Sequence, residues 1–338
     1  MPSTTALPAV AVVGAAPSAE LASAANLALY SAMAVYTIAM LLYAAYLAAL
    51  GPVSGTAASR EKARELVAVA ADGSAVADSG VSGEVGGGAA DGPSMRARKL
   101  AGSAFGMTCL ATLVLVGSVA LRGLAVMRPP WGNMFEFATA VAYCLLARRN
   151  RWEWLGLFVV GPVLLTLGTA LLAFYTEAAE LMPALKSVWL VIHVIVAILA
   201  VGLFVIAFSI GVLYLVKARR EAVPPARTSF METLPSAASL ERTAYGLNMI
   251  GFILWTFTLV AGAIWAQKAW GSYWNWDPKE VWTFVVWVVY AAYMHARATA
   301  GWEPRKAMWI ALAGFGTVIV NFAVVNVFFV GQHSYSGL

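Results

Sequence analysis

Eight stretches of this chain are apolar over a length that can cross a bilayer, and no other feature limits its fold so strongly. A spanning helix needs about 20 mostly apolar residues, because each adds about 1.5 Å of rise against a hydrocarbon core of about 30 Å. The stretches fall near residues 26–50, 100–121, 133–147, 155–175, 188–216, 247–266, 281–296 and 307–330. Of the 338 residues, 61% are hydrophobic and 12% charged, and the mean hydropathy is +0.76, which a soluble domain of this size does not carry. The expected fold class is therefore all-α: a polytopic helical bundle of about eight transmembrane helices with the lipid bilayer as its solvent.

Basic residues orient such a bundle, since Lys and Arg collect on the cytoplasmic side. Most of the 22 lie in the alternate connections 51–99, 148–153, 217–242 and 297–306; the opposite side holds Arg122, Arg128, Lys186, Lys268 and Lys279. That asymmetry puts both termini, and the connection around 270–280, on the outer side of the cell (cytoplasmic) membrane. It also accounts for the net charge of +5 without a nucleic-acid partner. Residues 1–25 read as an outer tail, without the basic leader of a cleaved signal peptide. Residues 26–50 form the first span, and 51–99, rich in Gly, Ala, Ser and Asp, read as a disordered cytoplasmic insertion. Residues 100–338 are left as one transmembrane domain. Cys109 and Cys144 make no C-x-x-C pair and read as small buried residues.

Chemistry concentrates in residues 265–282, which contain Trp265, Trp270, Trp274, Trp276 and Trp282, five of the 13 tryptophans. An ordinary interfacial belt distributes its indoles over many helix ends. Here Tyr273 and four tryptophans share one outer connection, an arrangement that reads as a flat aromatic platform for a large planar apolar ligand. Asp277, Pro278 and Glu280 spell a helix start: N-cap, first helical residue and capping-box acid. Capping is at least as natural a role for them as ligand contact. Asn133 and Glu136 repeat the pattern after Pro129-Pro130-Trp131-Gly132, so that second outer segment could face the first.

The chain has three histidines. His193 lies a few residues into its span and His333 just beyond the last one, so both belong to the outer end. His295 follows Asp277 by 18 residues, about 27 Å further in, and cannot share a metal with them. An ionisable side chain inside a membrane helix is costly and usually functional. The economical arrangement has His193 and His333 as opposing axial ligands of one haem iron beneath the tryptophans, with His295 at a separate inner site that a partner subunit would complete. Zinc, the rival, usually asks for three or four ligands. Lys279, Lys268, Arg128 and Arg122 are the outer cations available to propionates.

The run Trp270-Gly-Ser-Tyr-Trp274-Asn-Trp276-Asp277-Pro-Lys-Glu280, with Tyr293-Met-His295 and the terminal Gly331-Gln-His333-Ser-Tyr335, resembles the tryptophan-rich (WWD) haem-handling proteins, in particular the CcsA/ResC-type subunit of system II cytochrome c synthases. The resemblance extends from about residue 100 to the C-terminus. It implies that His193 and His333 are the catalytic pair holding haem b at the outer face, that His295 is the transmembrane ligand, and that Trp270, Trp274, Trp276, Asp277 and Trp282 line the cofactor. It further implies a ResB/Ccs-type membrane partner and a haem-lyase-type synthase activity. In that activity, haem brought from the cytoplasmic side is joined by thioether bonds to the Cys-x-x-Cys-His motif of an apocytochrome c. A haem chaperone or exporter without synthase activity and a secondary transporter are the alternatives; the latter would show broken helices, for which Asn321 and Asn326 are the only hint. A purely structural membrane subunit would bind no chromophore.

Overall fold

The computed structural model describes residues 18–50, 94–125, 153–173, 187–222 and 230–333. Among these, every regular element is helical. The long helices are α1 (Ala19–Ala49), α2 (Met95–Ala125), α3 (Gly156–Ala173), α4 (Val188–Glu221), α5 (Ala237–Trp270), α6 (Pro278–Ala298) and α7 (Pro304–Ile319). A π-turn, Val320–Val324, carries α7 into the short α8 (Val325–Phe328). Five helical segments are long and apolar enough to cross a membrane: α1, α2, α4, α5 and the α7–α8 unit Pro304–Phe328. This is a helical, multi-pass membrane protein. The expected span at 155–175 appears as the shorter α3, and that at 281–296 as α6.

Two helices begin earlier than composition indicates. Ser18 caps α1 by accepting the Leu21 N–H, so α1 takes in part of the expected tail. Ser94 does the same for Ala97, and α2 starts at Met95, before the basic cluster Arg96, Arg98 and Lys99. The rest of 1–25 and 51–99, the span at 133–147, the segment 129–136, Arg128, Cys144, Lys186 and Tyr335 lie outside the described residues. Cys109 is half-buried on α2.

The helices associate as three principal pairs, α1 with α2, α4 with α5, and α6 with α7; α3 bridges α1 and α4, and α4 also packs on α7. With lipid outside there is little hydrophobic drive between helices, so close fit and buried polar contacts hold them together. Between α1 and α2, Ser118 donates to the Ala25 carbonyl at 2.7 Å and Tyr36 to Thr112 at 3.0 Å. Between α5 and α6, Trp255 donates to the Thr283 carbonyl and Trp287 to the Thr256 hydroxyl. At the end of α5–α6 away from the tryptophan loop, Arg297 makes a two-point ion pair with the buried Glu241, at 2.6 and 3.1 Å, beneath the Tyr245 ring. The α5–α6 contacts brace a core whose opposite end carries His193 and His333.

Candidate functional site

On α5, Thr258, Gly262 and Trp265 follow one another at helical spacing and share a face. His193, near the start of α4, lies against that face, its Nδ1 donating to the Thr258 backbone carbonyl at 3.0 Å. Gly262 allows the approach: a β-carbon there would come within 2.8 Å of the imidazole Cε1 and 2.9 Å of Nδ1. Because a carbonyl only accepts, the proton belongs on Nδ1 and the lone pair on Nε2. The buried Trp265 indole stacks on the same imidazole, centroids 6.1 Å apart and planes 15° apart.

His333 reaches this group from the other end of the sequence. Its ring sits edge-on to Trp265 at 5.7 Å and to Trp270 at 4.9 Å. Trp265 therefore touches both imidazoles, whose centroids are at most about 12 Å apart. The His333 Nδ1 donates to Asp277 Oδ1 at 2.8 Å, and the Gln332 N–H to Asp277 Oδ2 at 2.6 Å. Gly331 permits this, since a β-carbon would collide with that carboxylate.

Asp277 also works locally. Its Oδ1 accepts the Lys279 N–H at 2.9 Å, and Glu280 Oε2 accepts the N–H groups of Asn275 and Asp277 at 2.8 and 3.1 Å, which completes the capping box at the start of α6. Capping and histidine anchoring thus meet in one buried carboxylate. Burial would raise the Asp277 carboxyl, but the His333 hydrogen bond and charge, with the amides of Gln332 and Lys279, outweigh it and hold it below the ordinary carboxylate range.

The remaining tryptophans are arranged differently from a flat platform. Trp265 and Trp270 meet edge to face at 4.6 Å with planes 64° apart, and Trp274 and Trp276 at 5.8 Å and 87°. Edge-to-face contact satisfies the ring quadrupoles better than coplanar stacking, so consecutive indoles turn against one another. Trp274 is half-buried, as is Trp282 on α6. Trp276 is 77% exposed and holds φ at 58°, a left-handed backbone braced from behind by Glu280. His295 lies toward the far end of α6, exposed, so the structure does not bring it to the other two. Among the cations, Lys279 bonds the Asn321 carbonyl at 2.8 Å, Arg122 reaches Asn26 between α1 and α2, and Lys268 is exposed.

An iron porphyrin takes two neutral imidazoles axially, and second-shell oxygens that hold Nδ1 orient the rings and raise the basicity of Nε2. Both histidines carry such an anchor, a carbonyl for one and a carboxylate for the other, so the donor set suits haem. Among the described residues no group of three or more His, Cys, Asp or Glu is placed to hold a metal ion, so a tetrahedral zinc site has no counterpart here. Thr258 and Gly262 went unread in the sequence, and Trp265 and Gly331 stood there only as members of the tryptophan-rich segment and the terminal motif, without a site role. The helical spacing of Thr258, Gly262 and Trp265 was the signal available.

Fold and site together define a polytopic helical membrane protein that gathers two anchored histidines and a tryptophan cluster at one end of its bundle. The chain belongs to the cytochrome c assembly protein family, whose model matches residues 101–333. It is 32% identical over 257 residues to a cytochrome c biogenesis protein CcsA of Guillardia theta, covering 69% of this chain and 85% of that protein. A CcsA protein of Gloeobacter violaceus is 30% identical over 294 residues, with 69% and 86% covered, and one of Synechococcus elongatus is 32% identical over 284 residues, with 70% and 86% covered.

Proposed function

We propose that this chain is the haem-handling, haem-attaching subunit of a cytochrome c synthase, holding haem b between His193 and His333 at the outer face of the cell membrane. The observation that carries the reading is that both imidazoles pack on Trp265, each anchored through Nδ1. The eight-span topology with both termini outside belongs to the same proposal and rests on the distribution of Lys and Arg.

Bound haem supplies the two vinyl groups; each thiol of the acceptor's Cys-x-x-Cys-His motif adds its S–H across a vinyl C=C with no net change in oxidation state. The chain's own residues position and shield. Thr258 and Asp277 fix the imidazoles, Trp265 and Trp270 pack against them, and Trp274, Trp276 and Trp282 are assigned to the haem edge that the acceptor approaches. Holding the reacting groups at contact distance replaces an improbable encounter with a pre-oriented one. His295 serves a second, inner position; its exposure on α6 supports completion of that position by a ResB/Ccs-type partner subunit.

The test is the absorption spectrum of the detergent-purified protein beside its His193→Ala, His333→Ala and His295→Ala variants. A Soret band that weakens or shifts in the two outer variants, with loss of cytochrome c maturation, is expected. Identical spectra in all four proteins would remove the ligand assignments. Haem loading that persists while maturation never depends on the chain would favour a chaperone without attachment activity.

A further inference from the structure

The last membrane helix leaves α geometry just before it delivers His333. Across Val320–Val324 the ladder widens, and the Val325 N–H bonds the Val320 carbonyl five residues back. A π-turn adds one residue to a helical turn, so the chain beyond it is rotated by about 100° and moved about 1.5 Å relative to an uninterrupted helix. Beyond this turn lie α8 and the segment 329–333 that meets Asp277. Such turns are rare, and this one is held by side chains. Lys279 Nζ donates to the Asn321 carbonyl at 2.8 Å, the Asn321 amide donates to the Thr283 hydroxyl at 3.3 Å, and that hydroxyl donates to the Lys279 carbonyl at 2.7 Å. Asn326 donates to the Phe322 carbonyl at 2.9 Å.

Two anchors on α6, two residues apart, therefore grip the same returning segment. Asp277 takes its end and Lys279 takes the turn that sets its rotation. We propose that Lys279 is a positioning residue: by tying the ammonium to the Asn321 carbonyl it fixes the π-turn, and through it the rotation and height at which His333 enters the outer site. The importance of this for haem rests on the reading of His333 as a ligand, while the geometric claim can be tested without haem.

The experiment is hydrogen exchange on the full-length, haem-free protein in detergent, comparing wild type with Lys279→Met, which keeps length and removes the donor, and Lys279→Arg, which keeps the cation. Amides of residues 321–333 should exchange about tenfold faster in the Met variant, the effect of one lost charge-assisted hydrogen bond, and return toward wild type in the Arg variant, with α4 unchanged. Titrated with haem, the Met variant should shift the Soret band in the direction of His333→Ala. Unchanged exchange over 321–333 in the Met variant, or a loss of protection spread equally through α4 and α5, would overturn the proposal. If His333→Ala leaves the spectrum untouched, the ligand reading fails, and the exchange result still judges Lys279.

Discussion

The two carboxylate oxygens of Asp277 grip the segment ending at His333 in two places, Oδ1 on the imidazole Nδ1 at 2.8 Å and Oδ2 on the preceding backbone N–H at 2.6 Å. One buried side chain thereby starts α6 and closes the bundle at the histidine site.

Asp277→Ala should cost about 1–3 kcal/mol, since it removes an N-cap and leaves the Gln332 N–H without its acceptor. Thermal unfolding in detergent measures it; a change within a few tenths of a kcal/mol would contradict the assignment. The pH dependence has a definite sign. A carboxyl held below its unfolded value, about 3.9, contributes stability that is complete above that value and is lost as pH falls through the lower folded one. Protection of the Gln332 amide should therefore be lost as pH falls below about 4, whereas Asp277→Asn should show no such acid transition.

Gly262→Ala should disturb His193 more than it disturbs the helix. Alanine favours helix by about 1 kcal/mol over glycine, but its β-carbon falls 2.8 Å from the imidazole. The ring must leave the Thr258 carbonyl, and haem affinity should drop about 10–100-fold, as when a metal ligand loses its second-shell anchor. Haem titration by absorbance reads it, and wild-type affinity would refute the contact.

Trp276→Gly should raise stability while lowering cytochrome c maturation. A left-handed L-residue costs about 1–2 kcal/mol, of which greater unfolded-chain freedom returns about half, leaving a gain of about 0.5–1 kcal/mol. The indole is 77% exposed and contributes little packing. A fall in the melting temperature would show that the ring is structural.

Arg297→Met should destabilise by about 3–5 kcal/mol, because Glu241, with 7% of its side chain exposed, is left charged and unpaired. Adding Glu241→Leu should recover most of that. A double variant no more stable than the single one would mean that the ion pair is not what Arg297 supplies.

Much of this was readable in the residues because the signals are local. Asp277, Pro278 and Glu280 announce a helix start by type and spacing, and all three occupy the expected cap. Counting helical rise separates His295 from His193 and His333, and in the structure it lies toward the other end of α6. The unread features are those decided across helices. Gly262 looks like any packing glycine until α4 places an imidazole over it. In Val320-Asn-Phe-Ala-Val324 only Asn321 hints at a break, for neither Gly nor Pro is present and the Lys279 Nζ that donates to the turn comes from α6. The platform expectation treated the indoles as a composition, whereas their mutual edge-to-face contacts set their planes.

The frame of the tryptophan loop is made by groups that are not aromatic: the left-handed cap at Gly271, the Ser272 hydroxyl on the Trp274 carbonyl, and one Glu280 oxygen clasping two amides. Scaffold and displayed surface are thus chemically separate. The turn that presents the rings at 274 and 276 is held without them, so the side chains shown on this face can change while its architecture stays put.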